Sequence, residues 1–163
     1  MNPSSRSRRL CLQAVLSGFG VAPLALPALA QNRSAPAVLP PARSLPDELT
    51  AALRQGQPLV VMASLEGCVY CRIARQSHLS PMQRAGQPIV QVDLRSEASV
   101  RDFAGKTTTH DELARRWNVT ITPTLLFFGP GGREVADRME GAYQPDFYGP
   151  YLEDRLAQSR KRL

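Results

Sequence analysis

Two cysteines, Cys68 and Cys71, are the residues of this chain best suited to chemistry. They stand in the stretch SLEGCVYCRIARQ, between an apolar run and a run with helical character. A cysteine at the start of a helix lies near unpaired backbone amides and the positive end of the helix dipole, and both favour its thiolate. Cys68 is therefore the expected nucleophile in disulfide exchange. Cys71, one turn further on, is placed to attack a mixed disulfide on Cys68 and to release the reduced partner.

Two other uses of the pair are a structural disulfide and a metal site. A disulfide stabilises a protein mainly by closing a long loop of the unfolded chain, and a loop of about four residues restricts little. A zinc site usually needs four ligands, and beside the pair the chain offers only His78 and His110 as further histidine ligands. We expect His78 to face away from the sulfurs and His110 to be exposed. A copper-handling module remains the alternative function, and no cofactor is expected.

The first 46 residues carry the pattern of an export signal and a tether. Residues 1–30 have a basic start, an apolar middle and an Ala-Leu-Ala end, which predicts a signal peptide cleaved after Ala30. Ser7–Leu12, SRRLCL, resembles a twin-arginine signal, and a general secretory signal is the alternative route to the periplasm. Cleavage would remove Cys11, the third cysteine. Residues 31–46 contain four prolines and predict an extended tether.

The composition is that of one globular domain. The chain has 163 residues, of which 43% are hydrophobic and 21% charged. Removal of Arg6, Arg8 and Arg9 with the signal would lower the formal charge from +6 to +3. The basicity therefore comes largely from the signal, and we expect no nucleic-acid partner.

The predicted domain, residues 47–163, begins with a helix and continues through alternating strands and helices. The expected elements are a helix from Asp47 to Gly56, a strand Pro58–Ser64, a helix Cys68–Leu79, a strand Pro88–Leu94, an insertion or short helix with a loop over 95–108, a capped helix Thr109–Trp117, a strand Thr124–Phe128, a turn Gly129–Gly132, a hairpin strand Arg133–Met139 and a helix Pro145–Arg160 packed through Phe147, Tyr151, Leu152 and Leu156. This order predicts an α/β domain with a mixed sheet flanked by helices, with two parallel crossovers first and an antiparallel hairpin last.

Three stretches, GCVYC after an apolar strand, TITPTLLFF and GGREVADRMEGA, resemble the thioredoxin-fold family. The likeness is greater to its exported bacterial thiol-disulfide oxidoreductases, and it spans residues 49–163. It implies a thioredoxin fold in which Pro123 is a cis proline facing the cysteines. It also implies that the backbone of Thr122 pairs with an extended segment of a protein substrate.

The resemblance also assigns Val69, Tyr70 and Gly141 to the substrate-binding region. Thioredoxins proper have a buried Asp six positions before the first cysteine and a Trp directly before it, where this chain has Met62 and Gly67. No charged residue stands between the cysteines, which favours a reductant. We therefore expect an exported, monomeric oxidoreductase that exchanges disulfides with protein thiols and receives electrons from a membrane redox donor.

Overall fold

The computed structural model describes residues 38–141 and 145–163. The predicted signal peptide and residues 31–37 of the predicted tether lie outside this range. The described elements are α1 (Leu45–Arg54), β1 (Leu59–Ser64), α2 (Val69–Ala74), a π-helical turn (Arg75–Leu79), α3 (Ser80–Arg84), β2 (Ile89–Asp93), β3 (Ser99–Arg101), β4 (Thr107–Thr109), α4 (His110–Arg116), β5 (Thr124–Gly129), a 3-10 turn (Pro130–Gly132), β6 (Arg133–Glu134), β7 (Met139–Glu140) and α5 (Pro145–Arg160). None of the described helices is long and apolar enough to cross a membrane.

Strand β1 lies inside the main sheet, whose order is β2-β1-β5-β6, with β7 also paired to β5. β1 runs parallel to β2, and Val60 lies opposite Ile89. β1 runs antiparallel to β5, and Ala63 lies opposite Thr124. The last residues of β1 and the first residues of β5 therefore lie side by side at the same end of the sheet.

The core lies on both faces of this sheet, because alternate residues of a strand point to opposite sides. On one face, Val60 and Leu125 belong to a cluster that includes residues of α2 and α5. On the other face, Val61 and Leu126 belong to a cluster with residues of α1 and α4. All six residues of β1 and all six of β5 are buried, as a doubly covered strand requires. The predicted α/β class, a mixed sheet flanked by helices, is confirmed.

One predicted crossover is wrong, because β5 is antiparallel to β1 rather than parallel. α4 has seven residues and spans only about 10 Å, so it does not carry the chain to the opposite end of the sheet. β5 therefore begins at the same end of the sheet at which β1 ends.

Two other predicted elements differ in detail. Residues 95–108 were expected to form an insertion or short helix, but β3 and β4 pair there as an antiparallel ribbon. The predicted hairpin strand Arg133–Met139 is interrupted. β6 pairs with β5 at its start, where the Val135 amide also donates to the Phe127 carbonyl, and β7 pairs with β5 at its end. β3 and β4 were missed because they are short and most of their residues are polar and at least partly exposed.

The end of the predicted tether belongs to the folded domain. Leu39 and Ala42 are each 1% exposed. The amide of Ala42 donates to the carbonyl of Gln91, and the amide of Gln91 donates to the carbonyl of Pro40, so this segment pairs with β2 along its free edge. The domain therefore begins before Asp47, because two apolar side chains among the prolines are buried in the core.

The last helix has the predicted bounds but a different buried face. Leu152 and Leu156 are buried as expected, together with Tyr148. Phe147 and Tyr151 are 56% and 44% exposed, so the prediction that they pack in the core is wrong. Positions 148, 152 and 156 share one side of a helix, whereas Phe147 lies off that side.

His110 is buried, which contradicts its expected exposure. Its side chain is 1% exposed, its Nε2 lies 2.9 Å from the carbonyl oxygen of Ala42, and its Nδ1 accepts the amide of Asp93 at 3.2 Å. The neutral ring with the proton on Nε2 satisfies both contacts. His110 thereby joins the segment before α1, the end of β2 and the start of α4.

Replacing His110 by Ala is expected to lower the free energy of unfolding by about 2–4 kcal/mol. The change leaves the Ala42 carbonyl and the Asp93 amide without their partner and opens a cavity. Urea denaturation measures the effect, with the exposed Glu97→Ala as a control expected to stay within about 0.5 kcal/mol of wild type. Equal midpoints for His110→Ala and wild type would contradict this role.

Candidate active site

Cys68 and Cys71 lie together at the start of α2. Cys68 is the N-cap residue, and its Sγ accepts the amide of Cys71 at 3.1 Å. The two sulfurs are at disulfide-bonding distance, and the Cα atoms are 5.2 Å apart. Cys68 is partly exposed, whereas Cys71 is 1% exposed. Cys68 is therefore the more accessible of the two cysteines.

Gly67 brings the chain from β1 into α2. It has a φ of +76°, a conformation that glycine adopts without the steric cost that a side chain would add. The following residue, Cys68, has extended backbone and starts the helix. A glycine directly before the first cysteine is therefore explained by the local turn.

The loop before β5 faces Cys68. The Thr122-Pro123 peptide bond is cis. The Thr122 hydroxyl lies 3.7 Å from Cys68 Sγ, and the Thr122 carbonyl oxygen lies 4.0 Å from it. The amide of Gly141 donates to the Pro123 carbonyl at 2.8 Å, so Gly141 borders the same loop.

Four exposed apolar side chains lie on the segments that carry the cysteines and Thr122. Val69 and Tyr70, between the cysteines, are 52% and 61% exposed. Ile73 and Ile121 are 45% and 52% exposed, and the sequence interpretation missed both. Ile121 stands just before Thr122-Pro123, and its position next to this dipeptide was the signal that could have identified it. We call these four residues, Val69, Tyr70, Ile73 and Ile121, the apolar rim.

The residue below the pair is apolar. Met62 is fully buried and belongs to the same core cluster as Cys71. No carboxylate therefore takes the place of the thioredoxin Asp at this position. Glu66, in the loop before the cysteines, is exposed.

Polar groups lie instead beside the pair, at the ends of β1 and β2. The Arg75 guanidinium donates to the Gln91 side chain at 2.8 Å and to the Ser64 hydroxyl at 2.9 Å. The Gln91 amide in turn donates to Asp93 at 2.7 Å. Arg72 is exposed, whereas Arg75 is partly buried between the helix and the sheet. Arg75 opens the π-helical turn, a feature that is frequent at functional sites.

The histidines do not join the cysteines in a metal-binding group. Among residues 38–141 and 145–163, no three His, Cys, Asp or Glu side chains are grouped so that they could hold a metal ion. The ring of His78 packs against that of Tyr148 with centroids 4.7 Å apart, and burial lowers the pKa of His78. His110 lies between α4 and the Ala42 carbonyl.

Comparisons with family models and with individual proteins point to the same family. A family model described as a thioredoxin-like domain matches residues 45–156. A thioredoxin-like protein of Haemophilus influenzae is 32% identical over 94 residues, which are 52% of this chain and 56% of that protein. The chain thus spans little more than half the length of this relative.

Solved structures with a similar fold include one named DsbH oxidoreductase. Its identity to this chain is 19% and its TM-score is 0.52, and the match covers 79% of this chain and 92% of that one. A thioredoxin from Thermus thermophilus matches with 23% identity and a TM-score of 0.49, over 72% of this chain and 87% of that one. The first of these likenesses shows a shared thioredoxin fold.

The exposure of the two cysteines predicts which thiol reacts first. After reduction, iodoacetamide should modify Cys68 at least about tenfold faster than Cys71, because the Cys68 sulfur is accessible and receives the Cys71 amide. Timed quenching followed by peptide mass mapping measures both rates, and the same reaction in denaturant, where the two thiols should react similarly, is the control. Faster modification of Cys71 in the folded protein would contradict the assignment.

Proposed function

The chain belongs to the thioredoxin-like domain family, and we propose that it is an exported thiol-disulfide oxidoreductase that acts on protein partners. The observation that carries the proposal is the unequal placement of the two cysteines. The sulfur of Cys68 is accessible at the start of a helix, and the buried Cys71 lies within disulfide reach. Thr122 faces the accessible sulfur, which is the side from which a partner would approach.

The exchange reaction follows from this arrangement. In the reducing direction, the Cys68 thiolate attacks one sulfur of a partner disulfide, and the other partner sulfur leaves as a thiolate that takes a proton from water. Cys71 then loses its proton and attacks Cys68 Sγ. The internal disulfide forms, and the second partner sulfur leaves and is protonated. Two electrons pass from the cysteine pair to the partner.

The apolar rim and the Thr122-Pro123 loop would bind the partner. Val69, Tyr70 and Gly141 would contact the partner together with this loop. An extended segment of the partner would lie across them with its backbone against Thr122, and Ile73 and Ile121 would contact its apolar side chains. Exposed apolar side chains that cluster at one place are typical of protein-binding surfaces.

We assign the direction as reducing. A strong oxidant of this chemistry has a stabilised reduced form, which requires a well-stabilised thiolate. Within the described residues, Cys68 Sγ has hydrogen-bonding contacts only with the Cys71 amide and the Thr122 loop, and no Lys, Arg or His side chain donates to it. The disulfide form is then favoured, and the protein would work as a monomer that a membrane redox donor keeps reduced.

Replacing Cys71 by Ala should trap partners. Cys68 would still attack a partner disulfide, but no second thiol would resolve the mixed disulfide. Affinity purification from the native periplasm, followed by non-reducing electrophoresis, should give bands that a reductant releases. Cys68→Ala is the matched control and should trap nothing. If Cys71→Ala traps no protein while the wild type binds copper tightly, the metal-binding alternative replaces the proposal.

The wild-type protein should also reduce insulin in the presence of dithiothreitol, and Cys68→Ala should fall to the uncatalysed rate because it lacks the attacking thiolate. Turbidity from the released insulin B chain measures the reaction. Equal rates for the two proteins would contradict the reducing activity.

Export predicts a processed protein in the periplasm. The mature chain should begin at Gln31, as N-terminal sequencing of the periplasmic fraction would show. Replacing Arg8 and Arg9 by Lys should block export only if the twin-arginine route is used. An unprocessed chain that remains in the cytoplasm in the wild type would contradict export.

A further inference from the structure

A cleft of about 950 Å³ opens beside Cys68, on the side of α2 that faces β2. Its walls are the loop from Leu65 to Cys68, the π-helical turn, and the segment Leu94–Ser96 after β2, and Val38 closes one side. The volume is at the upper end of the range for ligand pockets, about 300–1,000 Å³, so several residues of an extended segment fit. The apolar rim does not form this cleft, since Val69, Tyr70, Ile73 and Ile121 are not among its lining residues.

Three arginines and two acids line the cleft, namely Arg72, Arg75, Arg95, Glu66 and Asp93. In the described part of the chain, none of the three guanidinium groups has a carboxylate within 4.0 Å. Arg75 is partly buried, yet both of its acceptors, Gln91 and Ser64, are neutral. Arg72 and Arg95 are exposed and have no carboxylate partner among the described residues, so their guanidinium groups are available to pair with anions.

The fold fixes the backbone positions of Arg72 and Arg95. Arg72 lies on α2, directly after Cys71. Arg95 has a φ of 62°, and its amide donates to the Asp111 side chain at 2.8 Å, so the loop that presents it is fixed to α4. Arg72 and Arg95 line the cleft from two different elements, and the Arg75 guanidinium lies between Ser64 of β1 and Gln91 of β2.

We propose that this cleft binds an acidic segment of the protein partner, adjacent to the partner's reactive cysteine. The inference rests on the proposed function and adds the substrate class. Asp or Glu carboxylates of the segment would pair with Arg72 and Arg95, while Val38, Leu65 and Leu94 contact the aliphatic parts of its side chains. The segment that crosses the apolar rim and the acidic segment would then lie on opposite sides of the attacked sulfur.

The test uses two disulfide-linked peptides that differ only in the residues flanking one cysteine, Asp and Glu in one and Asn and Gln in the other. The second-order rate constant of each with the reduced full-length mature protein is measured by stopped flow at low salt. The acidic peptide should react about three- to tenfold faster, because each charge pair contributes modestly and long-range attraction adds to it. The preference should fall as salt is added.

Two double variants distinguish the effect of the cleft arginines from the effect of the net charge of the protein. Arg72→Gln with Arg95→Gln should bring the ratio of the two rate constants close to one. Arg54→Gln with Arg84→Gln removes the same charge from exposed positions at the other end of the sheet and should keep the ratio. The ratio is the readout, since a general change in Cys68 reactivity moves both rate constants together.

Four outcomes would overturn the inference. Equal rates of the two peptides with wild type would refute the cleft while leaving the oxidoreductase activity intact. A preference that survives in the Arg72 and Arg95 variant would show that these two arginines do not produce it. A preference lost equally in the control variant would assign it to net charge. Failure of both peptides to react would refute the proposed function and, with it, the inference.

Discussion

The antiparallel pairing of β1 with β5 is the interaction on which the site depends. It places Ala63 opposite Thr124, so the turn that leaves β1 and the loop that enters β5 meet at one edge of the sheet. The first turn supplies Cys68, and the second supplies Thr122 at 3.7 Å from its sulfur. Burial of both strands on both faces makes this register costly to shift, because a slip of one residue would exchange the two core clusters.

The surroundings of Cys68 differ on its buried and exposed sides. The buried side would affect the reactivity of the sulfur, and the exposed side would affect which partner binds. Below the pair, Met62 and the core are apolar, so the sulfurs react without a neighbouring acid at that position. On the exposed side the apolar rim offers area but little selectivity, since apolar contacts are not directional. The charged cleft would add selectivity, because Arg72 and Arg95 are attracted to one sign of charge and repelled by the other. Reactivity and recognition would thus reside in different residues and could be changed separately.

The fold was largely predictable because its strongest signals are local. The strand before the cysteines, the helix that follows them and the bounds of α5 appear in apolar periodicity and capping residues. The features that could not be predicted depend on partners far along the chain. His110 is buried by Ala42, 68 positions away, and Arg75 is held by Gln91, 16 positions away. A polar side chain does not indicate which distant strand it will meet, so the cleft and the buried end of the tether emerged only in three dimensions. The direction of β5 was also missed. It depends on where the chain lies after the short helix α4, and local sequence patterns do not indicate that position.

The reduction potential of the purified protein shows directly whether Cys68 and Cys71 form a reducing pair. Equilibration with glutathione redox buffers, with the thiols trapped and counted by mass spectrometry, gives the value. A weakly stabilised thiolate predicts a potential closer to that of thioredoxin, at about −270 mV, than to that of a strong oxidant such as DsbA, at about −120 mV. A value near the latter would contradict the reducing assignment. A pair that does not exchange with glutathione at any ratio would contradict the redox function itself.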